Sequence, residues 1–485
     1  MGTLLLANLC GCADFSGIGS VAKLLGSDSS VLKAAASTAG ADKKLSPIDI
    51  PSQWWRGYDD TQLNRLVDQA LTDNPTLRVA QARIARAMAV GEIATAAEKV
   101  QVGAGFDATH QRFTAKGMVP PPIAGAIMDT GTVQASASWE LDLFGKNRAA
   151  LDAALGQVHA AQADAQAARM LLAANIVRSY FNVARIQAQL DIAQRTLEQR
   201  QQSMQLTRDR FDAGLDTQLD IQQSEGTLPD TRLQIEVLQE QKSLALNALA
   251  ALCAQPAQAL KVDVPALASI KSIPNPRSLP LDLLGRRADI VASRWRVEAA
   301  TQDVGQARAQ FYPNINLTAF AGYSSIGLDK LLQSGSEQWG IGPAIRLPLF
   351  DAGRLRANLR GKAADQDSAI ESYNALVIDA VRDVSDQLAS AQAIERQQAE
   401  QLTAQAHADA TLAIAQQRFQ EGIGNKLQVL NAQTAVLLQS RQAVDLSARA
   451  LDTQVQLIRA LGGGYTPDAT FTSDNRSADN RTSTP

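Results

Sequence analysis

The sequence predicts a mixed α and β chain, mostly α, built from two copies of one unit. Three observations carry this. A residue pattern recurs at about half the chain length, each copy holds two stretches that alternate apolar and polar residues, and proline-free runs extend from Gly145 to Arg210 and from Asp351 to Arg418. Of 485 residues, 45% are apolar and 20% charged, with a net charge of -3. That balance suits an ordered chain and gives no ground for nucleic acid as a partner. No apolar run reaches the roughly 18 residues a membrane-spanning helix needs.

In chain order, residues 1–12 read as a signal segment. Leu9-Cys10-Gly11-Cys12 follows a short apolar run and resembles a lipobox, which implies cleavage before Cys12 and lipid on its thiol, tethering the chain to a membrane. A chance apolar start stays open, because no Lys or Arg precedes the run. Residues 13–50, rich in Ser, Gly, Ala and Lys, read as a linker. The first repeat covers 51–252, a connector 253–285, the second repeat 286–465, and a polar tail 466–485 reads as disordered.

The repeat shows in matched words. Arg210-Phe211-Asp212-Ala213-Gly214-Leu215 returns as Arg418-Phe419-Gln420-Glu421-Gly422-Ile423, Leu143-Phe144 as Leu349-Phe350, and Ala251-Leu252 as Ala460-Leu461. In each copy the order is helix, strand, strand, long helix, turn, long helix. Strands are expected at about 100–113 and 131–143, then 313–323 and 338–349. Val133, Ala135, Ala137, Trp139, Leu141 and Leu143 are apolar with polar residues between them, the period of a strand with one apolar face. The same alternation fits either an outer-membrane barrel strand or a soluble half-buried sheet. Four strands cannot close a barrel, so in a membrane several chains must share one.

Helical hairpins are expected over about 145–252 and 351–462. A helix from Gly145 to Arg210 would be about 100 Å long, which implies a rod-like or tubular assembly. Gly214 and Gly422 suit the left-handed residue that ends a helix. Pro229, close to Gly226, predicts a kink in the first hairpin only.

Chemistry-bearing residues are sparse. Cys10, Cys12 and Cys253 make neither a disulfide framework nor a zinc site, and His110, His159 and His407 stand apart. Gly17-x-Gly19-x-x-Ala22 lacks a preceding strand. No catalytic constellation, metal site or cofactor is expected.

Two stretches, Leu279-Pro280-Leu281-Asp282-Leu283-Leu284-Gly285-Arg286-Arg287-Ala288-Asp289-Ile290 and Ala307 to Leu317, carry a family resemblance. The chain resembles the outer-membrane factor family, the TolC group, in its NodT/OprM-like branch of outer-membrane lipoproteins of tripartite resistance-nodulation-division (RND) efflux systems. Ala288 stands where the family has Pro. The resemblance covers about 50–465 and implies a homotrimer with a twelve-stranded barrel, a long periplasmic α-barrel and an equatorial belt near 253–285. It further implies lipid anchoring in the outer membrane, no enzymatic activity, and a periplasmic adaptor and an inner-membrane RND pump as partners. The implied function is passive conduction of drugs or other small toxic solutes to the exterior.

By the same resemblance, Arg210, Gly214, Leu215 and Thr217 form one adaptor-contacting tip. Arg418, Gly422, Ile423 and Asn425 form the other, with Ile423 and Asn425 departing from the family's Leu and Ser. Leu430-Asn431-Ala432-Gln433 matches a family pattern with Asp in place of Asn431 and points to Leu427 and Asn431 as the pore constriction. For Asn431 a helix–helix seam is the open alternative, and for the two arginines a solvated helix end. At the level of the molecule, a duct for protein or oligosaccharide secretion and a soluble coiled-coil scaffold are the rival readings.

Overall fold

A 3-10 turn at Trp54–Tyr58 hands over to a helix whose start is written in the sequence. Asp60 accepts hydrogen bonds from the Gln62 and Leu63 amides, capping α1 (Thr61–Asp73). Pro75 then begins α2 (Pro75–Ala97), where its missing N–H costs nothing. The rest follows as β1 (Gln101–Arg112), β2 (Ile127–Leu141), α3 (Lys146–Asp212), α4 (Gln218–Leu252), a short α5 (Leu283–Arg286), α6 (Ala288–Ala309), β3 (Asn314–Ile326), β4 (Glu337–Arg346), α7 (Arg354–Gln420) and α8 (Lys426–Ala460). This computed structural model describes residues 15–25, 50–273 and 283–465. Cys10, Cys12, most of the expected linker, residues 274–282 and the tail from 466 lie outside the described residues.

The order of elements repeats as expected: α3 and α7 are 67 residues each, and α4 and α8 are 35 each. Strand ends differ from the pattern in ways that pairing explains. β2 begins at Ile127 rather than 131 because Ile127 to Thr130 pair with Arg112 to Thr109 of β1. β4 stops at Arg346 rather than 349, since its last partner is Asn314, the first residue of β3, and Pro348 has no N–H to donate.

The chain divides into two units. The first holds Ala82–Gln162 and Ala292–Asn374 with the residues up to Leu24. Its sheet is antiparallel in the order β1-β2-β3-β4. Directly paired residues share a face, and along the middle of one face the register places apolar residues opposite apolar ones, with exceptions at its end such as Arg112 opposite Ile127 and Tyr323 opposite Glu337. Val102 faces Ala137, Phe106 faces Val133, Trp139 faces Leu317, and Ile315 faces both Leu141 and Ile345. One continuous apolar face results, and it is open, with Trp339 78% and Ile341 69% exposed. The opposite face carries Gln134, Ser136, Ser138, Asn316, Thr318, Gly340 and Gly342. At Gly322 any side chain would run into the Val133 carbonyl and Gln134, so glycine is needed for the strands to pair. Beyond the sheet, Val304 and Ala307 of α6 and Phe311 just after it pack on Leu355 and Leu359 of α7.

Residues 15–25 lack regular structure, and those up to Leu24 are docked on the first unit. The Phe15 ring lies edge-on to Phe311, with centroids 5.8 Å apart. Asp367 accepts from the Ser20 hydroxyl at 2.5 Å and from the Val21 and Ala22 amides at 2.9 Å.

The second unit holds Leu25–Gln81, Ala163–Val291 and the chain from Ala375. Trp54, Tyr58, Leu63, Val67, Ile176, Tyr180, Phe181, Leu249 and Val455 form its main core. Cys253 is buried there, and burial pushes its thiol up to about 11, away from reactivity. Arg287, in the stretch that carries the resemblance, is buried and gathers three elements. It donates to Asp289 at 2.7 and 3.1 Å and to the Ala460 carbonyl at 3.4 Å, and stands 3.6 Å from Asp383, which Arg459 also binds at 2.8 Å.

Helix α4 runs without interruption through Pro229. Arg200 of α3 donates to the Thr227 carbonyl at 2.7 Å and to the Thr231 hydroxyl at 2.6 Å. These bonds supply local support in the turn where proline removes one helical hydrogen bond.

Candidate functional site: the hairpin turns and the return helix

Both turns belong to the second unit. Val183, Ile186 and Leu190 of α3 pack on Ile235 and Leu238 of α4, and Arg208 pairs with Glu225 at 2.6 Å near the turn. Helices α3 and α8 also run antiparallel in one register. Arg178 meets Asp452, Gln189 meets Asp445, and the buried Gln199 amide donates to the Leu430 carbonyl at 2.9 Å. Carried onward, that register sets the two turns level with each other.

The two turns close by the same backbone device. The Gly214 amide donates to the Phe211 carbonyl and Leu215 to Arg210. In the second copy Gly422 donates to Phe419 and Ile423 to Arg418. Gly214 and Gly422 have φ of +73° and +76°. This is the Schellman pattern, in which a left-handed glycine lets the last carbonyls be satisfied.

Side chains then make the turns unlike. Arg210 donates to both oxygens of Asp216, at 2.8 and 2.9 Å, and this bonding holds its pKa above the ordinary guanidinium value. Thr217 caps α4: its hydroxyl accepts the Asp220 amide and donates to the Asp220 carboxylate at 2.6 Å. Those hydrogen bonds from the Thr217 hydroxyl and N–H hold the Asp220 carboxyl below the usual range. Asn425 caps α8 by accepting the Gln428 amide at 2.9 Å. Arg418 is exposed, with no carboxylate partner among the described residues, and Lys426 lies 5.7 Å from the Phe419 ring centroid. Leu215 and Ile423, at 67% and 66%, are largely exposed.

On the return helix of the second hairpin, Leu430 is fully buried toward α3, while Leu427 and Asn431 share an exposed face one turn apart. Within the single chain Asn431 is therefore not on a seam between helices.

The sequence-predicted tip residues are brought together at the turns, and Leu427 and Asn431 on one face, but several working residues were missed. Asp220 was legible as the fourth position of a Thr-x-x-Asp capping box. Asp216 had no local signal beyond lying across the glycine turn from Arg210. Gln199 depends on tertiary packing and had none. Of the three histidines, His110 lies 2.7 Å from Asp129 and His159 stacks on Trp295 with centroids 4.4 Å apart. Among the described residues no cluster could hold a metal ion and no helix is apolar enough to cross a membrane.

The chain matches the family described as outer membrane efflux protein over residues 66–255 and 279–463, one match for each repeat. It is 32% identical over 423 residues to the multidrug resistance outer membrane protein MdtQ of Escherichia coli O6:H1, covering 85% of this chain and 88% of that one. Among solved structures, the outer membrane protein VceC of Vibrio cholerae is 35% identical with a TM-score of 0.77, covering 86% of this chain and 99% of its own. The outer-membrane channel OprN is 29% identical with a TM-score of 0.79, covering 88% and 96%. The four-stranded sheet, the paired long helices and the doubled match together mean that the chain belongs to the outer membrane efflux protein family and is an outer-membrane channel protein with a helical periplasmic extension.

Proposed function

We propose that three copies of this chain close one twelve-stranded barrel and form the exit duct of a tripartite efflux pump. One observation carries the reading. The sheet has four strands, an open apolar face and a free edge on both β1 and β4. In hydrocarbon an unpaired edge is costly at every backbone group, so β4 of one copy pairs with β1 of the next until the ring closes. The polar, small-residue face then lines the lumen.

An inner-membrane RND pump supplies the energy and a periplasmic adaptor docks on the turns at Arg210, Gly214, Leu215 and Thr217 and at Arg418, Gly422, Ile423 and Asn425. Leu427 and Asn431 project into the pore, where symmetry turns each into a ring. Cys12 carries the lipid that ties the chain to the outer membrane. MdtQ is named for multidrug resistance and another relative, FusA of Burkholderia cepacia, for fusaric acid resistance. By that likeness the conducted solutes are drugs or small toxic compounds, and passage is passive.

Native mass spectrometry of the detergent-solubilised protein, paired with dye accumulation in a deletion strain, tests the reading. A trimer is expected, together with raised accumulation that a plasmid copy reverses. A monomer under gentle conditions would sink it.

A further inference from the structure

The two hairpin turns share a backbone but not a charge. Around the first lie Arg208, Asp209, Arg210, Asp212, Asp216, Asp220 and Glu225; over the equivalent span of the second, residues 416–433, the charged residues are Arg418, Glu421 and Lys426 alone. The first turn is net acidic and the second net basic. Both arginines of the first turn are taken up within the chain, Arg208 by Glu225 and Arg210 by Asp216. Asp209 receives one amide from Gln205 at 2.9 Å, and Asp212 is exposed with no cation against it among the described residues.

At the second turn the position equivalent to Asp216 is Gly424. A Cβ there would stand 3.0 Å from the Arg418 main chain and side chain, and the Gly424 amide already donates to the Arg418 carbonyl at 2.9 Å. The turn is therefore too tight to carry its own acid at that place. Glu421 is engaged by Gln417 at 3.0 Å. Arg418 is left with a planar guanidinium, suited to gripping a carboxylate through two hydrogen bonds, beside exposed Phe419 and Ile423.

We propose that the two turns dock one partner by opposite charge: Arg418 receives a carboxylate of the docking protein, while Asp209 and Asp212 receive a cationic side chain from it. This rests on the reading of the turns as the adaptor-docking ends. Exposed Leu215, Leu219 and Phe211 on one turn, with Phe419 and Ile423 on the other, supply the apolar anchors, and the charges set orientation and encounter rate. A partner of uniform charge would be attracted by one turn and repelled by the other, so the matching surface alternates acidic and basic.

The test uses the full-length protein in detergent and two fluorescein-labelled helical-hairpin peptides with the same leucine-bearing tip, one flanked by Glu and one by Lys. Fluorescence anisotropy at low salt is expected to show both peptides binding. Arg418→Glu should weaken the Glu peptide about tenfold or more and leave the Lys peptide within about twofold. Asp209→Asn with Asp212→Asn should do the reverse, and Arg418→Gln should fall between wild type and Arg418→Glu. Equal binding of the Glu peptide to wild type and Arg418→Glu overturns the proposal, as does wild type that binds neither peptide. Planar-bilayer conductance of the same wild-type preparation separates the two ideas. A preparation that conducts but fails the peptide test sinks the charge pairing alone, and one that never conducts sinks the duct.

Discussion

Arg287 shows how much one side chain can decide. It is buried, and burial by itself would lower its pKa, but Asp289 and Asp383 outweigh that and raise it. For Asp289 burial pushes the carboxyl up, and the hydrogen bonds and charge of Arg287 overcome this and leave it below the ordinary value of 3.8. A depressed carboxyl contributes stability that is whole above its unfolded value and is lost as pH falls through its folded one. The Arg287 cluster should thus be indifferent to pH across the neutral range and weaken only below about 3.8, which urea denaturation of wild type and Asp289→Asn at neutral pH and pH 3 would reveal as converging midpoints. Arg287→Met strands Asp289 without its cation, while Asp383 keeps Arg459 at 2.8 Å. Because both are partly solvated, the expected loss is about 2 kcal/mol, below the range for fully buried pairs, read as a lower denaturation midpoint.

At the scale of the element, the long helices were legible because proline is absent from Gly145 to Arg210 and from Asp351 to Arg418. Their ends were legible because glycine closes each turn. Replacing Gly214 with Val forces a β-branched residue to φ +73°, where it is strained. Faster proteolysis between Arg210 and Thr217 is expected, and an unchanged cleavage rate would argue against a rigid turn. Helix α4 carries Pro229 through an unbroken helix. The sequence could announce the proline but not Arg200, which comes from the neighbouring helix. On α8, the placement of Leu430 inward leaves Leu427 and Asn431 outward. Substituting both with Gly should raise single-channel conductance in planar bilayers; no change would remove them from the constriction.

At the scale of the whole molecule, the apolar face of the sheet fixes the environment. Ile341 is 69% exposed and pairs with Ala319 in the middle of that face. Lysine there would cost about 2–4 kcal/mol in a bilayer and very little in water. Ile341→Lys should therefore reduce the trimer recovered from outer membranes, whereas Gly342→Ser on the opposite face should not. Equal recovery of both variants would contradict the assignment of faces. The proposed closure by several copies starts from strand number, since the four-stranded sheet leaves β1 and β4 as edges.

The sequence by itself determined the repeat, the element types, the two faces of the strands and the glycine-closed turns. Each is set by local spacing, backbone preference or the period of apolar residues. Only the tertiary structure decided that Arg210 is taken by Asp216 while Arg418 is left exposed, that Gln199 reaches Leu430, and that Arg287 joins α6, α7 and α8. The first depends on the exact path of a short turn and the others on which side chains distant helices bring within hydrogen-bonding reach, and neither kind of distance is written in neighbouring residues.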